Sequence, residues 1–421
     1  MKQFIELITT ILKDGRVNTD RTGVGTVSTF GHQSVFYMKD GFPLLTLKKT
    51  FYKGIIHELL WFLNAVPEEY KKFGNTNIKY LVDNNVHIWD EWAYVKYKKH
   101  TSTIEEPDMS VLIDDPQRNN SVREMTQKEF ADAIKNDDEF AMKWGDLGPV
   151  YGKQWTDWGG YTKKYQEQRS YGGSFGGETS IVYGDWKEEK IPGINQIDVL
   201  INTLKNRPDD RGIMVSAWDV AELGKMALRP CHTIFQFKAE PLTIDERIDL
   251  FIKDGGDVLD LGIGGNDEQV SSILTTLEIP KFRLSLQLYQ RSADTFLGVS
   301  YNIAGYSLLL HMVAQIVNMV PYKFVHTFGD LHLYLNHKDQ VNELLNRTYN
   351  EGEGIDPKDE IDYWDNIRET LSDNCVGHYR GPELPTLKLN PAIKNISDFR
   401  IEDIEVLNYN PLPAISAPVA V

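Results

Sequence analysis

The sequence predicts a mixed α/β or α+β fold, because segments with helical and with strand periodicity follow one another along the chain. Apolar residues recur at helical spacing in residues 3–13, which indicates an amphipathic opening helix. Residues 282–289 alternate cleanly between apolar and polar side chains, which predicts a strand with one apolar face. A chain of 421 residues without an internal repeat is also long enough to bury a sizeable core.

The remaining elements follow from the same two periodicities and from the turn residues between them. A turn-rich loop at 18–26 leads into a β-rich run at 27–38, and residues 54–63 form a strongly apolar helix. Further helices are predicted at 194–204, 303–318 and 336–345, and further strands at 213–218, from Cys231 onwards and at 325–334.

Four stretches between these elements are charged or rich in glycine, and we interpret them as insertions into a single domain that spans residues 1–421. They lie near residues 96–138, 159–192, 239–280 and 348–383. The stretch near residues 96–138 is highly charged, so we expect it to be exposed. The glycine run at 172–177 lacks the preceding strand, the following helix and the lysine of a phosphate-binding loop, so we expect a flexible loop there. The glycines at 262–265 fit no dinucleotide-binding pattern.

Charge and cysteine content limit the function. A net charge of −16 at pH 7 disfavours general binding to nucleic acid or to an anionic membrane, because such binding needs a basic face. Cys231 and Cys375 form neither a disulfide framework nor a zinc-binding spacing, and no metal site is expected. The first residues lack a signal-peptide pattern, so we expect a reducing, cytoplasmic location, in the host cytoplasm if the source is a virus. The apolar window at 303–320 contains His311 and Gln315, which indicates a buried helix rather than a membrane span.

Cys231 is the first candidate for covalent chemistry. It follows Pro230 directly and stands at the head of an alternating run, so its thiol is expected at the end of a strand. A thiolate in that position could act as a nucleophile, whereas a buried and inert thiol is the commoner role of a cysteine. The local pattern leaves both interpretations open.

Two charged residues are further candidates. Glu58 lies in the middle of the apolar helix, where a carboxylate must be paired, exposed on a polar face, or raised in pKa by desolvation. Only the last case provides a proton donor or acceptor near neutral pH. Arg21 lies at the centre of the loop at 18–26, where an arginine is usually solvated.

Several motifs in one order along the chain resemble those of the thymidylate synthase family. They are Arg-Pro-Cys-His at 229–232, Gln-Arg-Ser-Ala-Asp-Thr-Phe-Leu-Gly-Val at 290–299, Asn-Ile-Ala at 302–304, Gly-Asp-Leu-His-Leu-Tyr at 329–334 and the tail at 417–421. The matches run from the first helix to the last residue and are interrupted by the four insertions. The resemblance implies a large mixed sheet packed by helices, with two subunits meeting sheet to sheet.

The resemblance also implies that the chain joins a one-carbon unit to C5 of dUMP. Cys231 would add to C6 of the uracil, and Arg291 would favour its thiolate form. The phosphate would be held by Arg21, Arg291 and Ser292. Arg211 would complete the phosphate site of the partner subunit, so that the active site needs the homodimer.

By the same resemblance, Asn302 would read the base by donating to O4 and accepting from N3–H of uracil. Cytosine presents the opposite pattern, and a family relative that acts on dCMP has aspartate at this position, so asparagine indicates dUMP. His332 and Tyr334 match the pair that binds the sugar hydroxyl. Gln236 would face the nucleotide, and Glu58 would donate and accept protons through water.

The implied co-substrate is 5,10-methylenetetrahydrofolate. Asp294 would accept hydrogen bonds from its pterin, and the carboxy-terminal Val421 would close the site. The remaining folate-binding set is Trp89, Trp92, Leu228, Gly298 and Tyr301.

A few departures from the family pattern bear on the product. Gly212 stands where a second arginine is usual, and Arg229 could either restore that charge or point to solvent. Asp219, Gly305 and Tyr301 replace asparagine, serine and phenylalanine. A phenolic hydroxyl at Tyr301 could hold a water, which would divert the last intermediate from dTMP to 5-hydroxymethyl-dUMP. We predict dTMP because both tryptophans and the tail are retained. A dUMP hydroxymethylase is the alternative, and a non-catalytic nucleotide-binding or RNA-binding relative ranks lower.

Overall fold

The computed structural model describes residues 1–20, 22–104, 125–173, 177–262, 266–348 and 381–419. Its helices are α1 (Lys2–Asp14), α2 (Tyr52–Phe62), α3 (Glu68–Lys71), α4 (Lys79–Asp83), α5 (Asp90–Ile104), α6 (Gln127–Asn136), α7 (Asp138–Trp144), α8 (Tyr151–Thr156), α9 (Gln196–Asn206), α10 (Ile244–Lys253), α11 (Asp267–Thr276), α12 (Gly298–Ile316) and α13 (Lys338–Thr348). Its strands are β1 (Arg16–Asn18), β2 (Thr26–Tyr37), β3 (Tyr161–Gly173), β4 (Gly177–Ile191), β5 (Met214–Ser216), β6 (His232–Pro241), β7 (Phe282–Asp294), β8 (Val320–Tyr334), β9 (Thr386–Leu389) and β10 (Ile404–Leu407). Each helix and strand predicted from periodicity is present, with shifted boundaries.

A mixed sheet forms the centre of the fold, and among the described residues its strand order is β1-β2-β8-β7-β6-β5. β7 and β8 pair in parallel, whereas the other neighbours pair antiparallel. α12 connects the parallel pair and packs on both of its strands, as parallel strands require a crossover. The predicted mixed α/β fold is therefore confirmed.

α12 is apolar almost all round, as expected for a helix inside a core. Ile303, Leu309 and Met312 on this helix are fully buried. The prediction of a buried helix at 303–318 is thereby confirmed. Within the ranges that the structure describes, no helix has the length and apolar character needed to cross a membrane.

The end of α1 shows how local sequence directs the chain into the sheet. Phe4 and Ile8 on α1 are fully buried, which confirms its amphipathic character. A Cβ at Gly15 would lie 2.3 Å from the carbonyl oxygen of Ile11 and 2.8 Å from the side chain of Val27. Glycine is therefore required for the close turn from α1 into β1.

The predicted insertions differ in structure. Residues 161–191 contain the hairpin of β3 and β4, which forms a two-stranded sheet of its own. α10 and α11 follow β6 and enclose a small apolar cluster, apart from the main core, made of Phe251, Leu261, Leu274 and Ile279. Parts of the predicted loops and of the last insertion lie outside the described residues, namely 174–176, 263–265 and 349–380.

The expectation of an exposed segment near 96–138 holds only in part for residues 125–138, because most of them are exposed but one face of α6 is buried. Phe130 and Ile134 on α6 are fully buried. The ring of Phe130 lies 5.6 Å from that of Tyr94 on α5, measured between centroids. A few large aromatic side chains supply a buried face here, even though the average composition of the segment is polar.

Arg247 joins α10 to α11 as a buried cation that is 4% exposed. Its guanidinium donates to the carbonyl oxygens of Pro280 and Ile279, each at 3.1 Å. It also donates to the hydroxyl groups of Ser271 at 3.0 Å and Thr275 at 3.2 Å. Because these acceptors are neutral, hydrogen bonds rather than an ion pair offset the desolvation of the charge.

Replacing Arg247 with alanine should loosen the α10 and α11 unit without affecting the central sheet. Buried acceptors lose their donor, so we expect the free energy of local opening to fall by about 2–4 kcal/mol. Hydrogen exchange measured by mass spectrometry would then be faster in both helices. Lys253→Ala at an exposed position of the same helix is the control. Unchanged exchange in the Arg247→Ala protein would contradict this role.

Candidate active site

Cys231 directly precedes β6, at the point where the pairing of β6 with β7 changes register. His232 faces Gln290 and Ile234 faces Tyr289, so two steps along β6 oppose one step along β7. This is a β-bulge, a feature that bends a strand and redirects side chains beside it. The thiol is partly exposed at the strand end, as the sequence predicted.

Arg291 on β7 holds its guanidinium next to the thiol. Its Nη2 lies 3.9 Å from Cys231 Sγ and donates to the carbonyl oxygen of Arg229 at 2.9 Å. Its Nε donates to the carbonyl oxygen of Pro230 at 2.9 Å. Burial raises the pKa of the Cys231 thiol, and the positive charge of Arg291 opposes that shift. The cation therefore favours the thiolate without fully offsetting desolvation.

Tyr151 and His232 support the same strand end from the core side. The hydroxyl oxygen of Tyr151 accepts from the backbone N–H of Cys231 at 2.7 Å. The ring of His232 packs on Tyr151 and Tyr306, with centroids 5.2 and 5.4 Å apart. Burial lowers the pKa of His232 to about 4, so its imidazole is neutral at neutral pH.

No role was predicted for Tyr151 or His232 from the sequence. The available signals were the position of His232 next to Cys231 and the compact segment at 145–155 that contains Tyr151. Neither signal shows that a hydroxyl group 80 positions away binds the backbone of Cys231. Their contribution depends on contacts between distant parts of the chain.

Glu58 on α2 is both paired and desolvated. Its Oε1 accepts from Trp89 Nε1–H at 2.8 Å. Burial raises the pKa of Glu58 to about 7, although the bond from Trp89 opposes this. Of the alternatives open from the sequence, the structure thus selects a carboxyl group that titrates near neutral pH.

A small cavity of about 20 Å³, on the scale of one water molecule, adjoins Glu58. His232, Tyr301, Asn302 and Gly305 contribute to its wall. A Cβ at Gly305 would make only an ordinary contact at 3.5 Å, so glycine leaves open space here. Burial raises the pKa of the Tyr301 hydroxyl group, and a backbone group of Phe51 opposes this shift.

Asn302 lies between the cavity and the core. Its Oδ1 accepts from Gln290 Nε2 at 3.1 Å, and its side chain also hydrogen-bonds with His232. Gln290 is the first residue of the motif at 290–299, but no role was predicted for it from the sequence. Its contact with Asn302 makes it part of the site.

A cleft of about 520 Å³ opens in front of the thiol. It brings together eight of the predicted site residues, namely Trp92, Leu228, Cys231, Arg291, Ser292, Asp294, His332 and Tyr334. Nδ1 of His332 lies 2.7 Å from Asp330 Oδ1, which orients the ring. Asp294 Oδ1 accepts from the backbone N–H groups of Phe296 and Leu297, each at 3.1 Å, just before α12 begins at Gly298.

Other predicted site residues are not brought into this cleft. Gln236 lies in a groove on the open face of the sheet, where its Nε2 donates to the carbonyl oxygen of Arg211 at 2.8 Å. Gln236 therefore does not line the cleft that contains Cys231. Arg211 and Arg229 are exposed, and neither lines the cleft in the described part of the chain.

Two predicted residues, Arg21 and Val421, lie outside the described residues. The tail leading to Val421 is anchored through His337, whose Nε2 lies 2.8 Å from the carbonyl oxygen of Pro418. Among the described residues, no group of three or more histidine, cysteine or acidic side chains could hold a metal ion.

Comparison with known proteins agrees with the geometry. The family model described as thymidylate synthase matches residues 2–380 and 365–421. The thymidylate synthases of Mesoplasma florum and Mycoplasma mobile are each 37% identical over 421 aligned residues, which cover 100% of both chains. The thymidylate synthase of Listeria monocytogenes is 35% identical over 424 aligned residues, again covering 100% of both chains.

Replacing Glu58 with glutamine should stabilise the protein at neutral pH. The folded pKa of about 7 lies above the ordinary value of 4.5, so the folded state retains a proton that the unfolded state has lost. Wild-type stability should therefore fall as pH rises from 4.5 to 7 and then level off. The Glu58→Gln protein lacks this loss, so its free energy of unfolding above pH 7 should exceed that of the wild type by roughly 3 kcal/mol.

Urea unfolding at several pH values measures this difference. Glu68→Gln, at a carboxylate that is 84% exposed, is the matched control and should follow the wild-type curve. Parallel curves for the wild-type and Glu58→Gln proteins would show that Glu58 is not desolvated.

Proposed function

Since this chain belongs to the thymidylate synthase family, we propose that it transfers a one-carbon unit to C5 of dUMP and releases dTMP. The co-substrate is 5,10-methylenetetrahydrofolate, which supplies the one-carbon unit and then a hydride and leaves as dihydrofolate. The observation that carries the proposal is the pairing of Cys231 with the Arg291 guanidinium, 3.9 Å apart, at the wall of the cleft. The whole chain, residues 1–421, acts as one catalytic domain with the insertions described above.

The reaction begins with Cys231. Its sulfur forms a bond to C6 of uracil, and the electron pair of the C5–C6 double bond moves towards O4 and makes C5 nucleophilic. C5 then bonds to the one-carbon unit and loses its proton, the C–N bond to the folate breaks, and hydride from the folate completes the methyl group. The C6–S bond then breaks and the C5–C6 double bond is restored. Arg291 favours the thiolate at the start and at the end of this cycle.

Arg291 and Ser292 also provide donors for the phosphate of dUMP, because both line the cleft beside the thiol. Arg21 supplies a further cation from the loop at 18–26. His332 and Tyr334, at the other wall, bind the sugar hydroxyl. A guanidinium can bind a phosphate through two parallel hydrogen bonds, which fixes the nucleotide as well as attracting it.

Asn302 selects the base, with Nδ2 donating to O4 and Oδ1 accepting from N3–H. Glu58 exchanges protons near O4 and C5 through water in the adjoining cavity. Its pKa of about 7 suits both donation and acceptance near neutral pH. The folate ring lies against Trp92 and Leu228, and Asp294 accepts from its pterin.

Trp89, Gly298, Tyr301 and the tail ending at Val421 complete the folate site. Trp89 acts by orienting Glu58, since its indole N–H is bonded to that carboxyl group. Gln236 supports the site through Arg211, whose backbone it binds. The catalytic thiol must stay reduced, which suits a cytoplasmic location.

Capture of water in place of hydride would give 5-hydroxymethyl-dUMP, but this alternative is not favoured. The relatives named above are thymidylate synthases. A binding protein without catalysis is likewise disfavoured by the assembled Cys231 site.

The purified protein should form dihydrofolate in step with dTMP, because hydride transfer oxidises the folate. Absorbance follows the folate, and chromatography identifies the nucleotide. Cys231→Ser should lower turnover by about three orders of magnitude or more, since the nucleophile is lost. Cys375→Ser is the control and should remain active. Turnover without dihydrofolate would contradict the synthase assignment.

We further propose that the active protein is a homodimer in which the open face of the sheet meets its counterpart. Large apolar side chains are exposed on the strands of the central sheet, with Phe30 80%, Met214 43% and Tyr289 38% accessible. Such exposure is typical of a surface that is covered in an assembly. Arg211 lies in the groove on the same face, where it can reach the phosphate site of the partner subunit.

Mixing inactive Arg211→Ala and Cys231→Ser subunits should restore activity. A mixed dimer contains one site with both residues intact, so random exchange should recover about one quarter of wild-type activity. Activity is measured after subunit exchange in mild denaturant. Mixing Arg211→Ala protein with itself is the control. If Arg211 served its own subunit, the mixture would recover no activity.

A further inference from the structure

Selection of dUMP over dCMP depends on which way the amide of Asn302 faces. With Oδ1 and Nδ2 exchanged, the same side chain would present the pattern that suits cytosine. The two orientations have nearly the same shape, so packing alone does not decide between them. Neighbouring hydrogen-bonding groups must therefore fix the amide.

Gln290 and His232 both contact the amide. A neutral histidine can donate or accept according to its tautomer, so Gln290 is the neighbour that can fix the direction of the amide. Its Nε2 donates to Asn302 Oδ1 at 3.1 Å and to the carbonyl oxygen of Ser292 at 3.0 Å. Since a carbonyl oxygen can only accept, the amino group of Gln290 must face this side. Its Oε1 then points away from the nucleotide site and into the core, where Gln290 is 3% exposed.

His326 on β8 meets that oxygen. Its Nε2 lies 2.8 Å from Gln290 Oε1, and its fully buried ring stacks on Phe328 with centroids 3.9 Å apart. Within the described residues Nδ1 has no hydrogen-bond partner, so a proton on Nδ1 would be unsatisfied and belongs on Nε2. Burial also lowers the pKa of His326 well below its usual value, and the ring is neutral.

We propose that His326 is a positioning residue that fixes the amide of Asn302 through Gln290 and so makes the site selective for uracil. Nε2–H of His326 holds Gln290 Oε1, and the amino group of Gln290 holds Asn302 Oδ1. His326 does not line the cleft, so it acts on the base only through the side chains of Gln290 and Asn302. Loss of its donor would leave Gln290 Oε1 buried and unpaired, which favours rotation of Gln290. Asn302 would then keep only its contact with His232, which does not fix the direction of the amide. The inference deepens the proposed function and rests on it.

Two substitutions of His326 separate this role from simple packing. His326→Gln places an amide nitrogen near the position of Nε2, whereas His326→Asn is one methylene shorter and does not reach Gln290. Both variants lose the ring. The measured quantity is the ratio of the Kd for dCMP to the Kd for dUMP, obtained by calorimetry with the full-length protein.

We expect the ratio to fall about 10- to 100-fold in His326→Asn and to stay within about threefold of wild type in His326→Gln. The kcat for dUMP should change less than its KM, because the nucleophile is untouched. An unchanged ratio in His326→Asn, or an equal fall in both variants, would overturn the proposal.

Nitrogen NMR of the wild-type protein tests the same idea if His326→Asn does not fold. The proposal requires a neutral ring with its proton on Nε2 at neutral pH. A proton on Nδ1, or a charged ring, would overturn it. Because binding is measured without turnover, a protein that binds dUMP selectively but forms no dTMP would refute the proposed function and leave this inference standing.

Discussion

The position of the Arg291 guanidinium, 3.9 Å from the Cys231 sulfur, is the constraint on which the rest of the site depends. Burial raises the pKa of the thiol, and the guanidinium is the positive charge that opposes this shift. The guanidinium of Arg291 donates to the carbonyl oxygens of Arg229 and Pro230, which fix its position. The backbone N–H of Arg291 donates to the carbonyl oxygen of Cys231 at 2.9 Å. The pairing of β6 with β7 thus sets the distance between the Cys231 sulfur and the Arg291 guanidinium. The β-bulge after Cys231 determines the direction of the thiol.

Behind the thiol, burial keeps most polar side chains neutral. The pKa of His232 falls to about 4 and that of Tyr151 rises well above its usual value, so both serve as hydrogen-bonding groups without charge. Glu58 differs, because its pKa of about 7 allows it to gain or lose a proton near neutral pH. The site therefore separates one proton-exchanging carboxyl group from a rigid neutral layer that holds the strand end and the amide of Asn302.

The main helices and strands of the core, such as α12 and β7, could be predicted because periodicity is local, whereas the hairpin of β3 and β4 was not predicted. The order of strands could be expected only from resemblance, since their pairing joins residues far apart in sequence. The same limit explains why Tyr151, Gln290 and His326 had no predicted role. Gln236 was placed beside the nucleotide because it shares a strand with Cys231, yet five residues along an extended strand span about 16 Å. The buried face of α6 was not predicted, because the polar average composition of residues 96–138 concealed Phe130 and Ile134.

The most direct test of the account is to map the covalent bond to the nucleotide. A dUMP analogue with fluorine at C5 cannot lose a proton there, so the adduct should accumulate in the presence of methylenetetrahydrofolate. After protease digestion, mass spectrometry should find the nucleotide and the folate on the peptide that contains Cys231, and no adduct in the Cys231→Ser protein. An unmodified Cys231 in protein that still forms dTMP, or an adduct on another residue, would contradict the central claim.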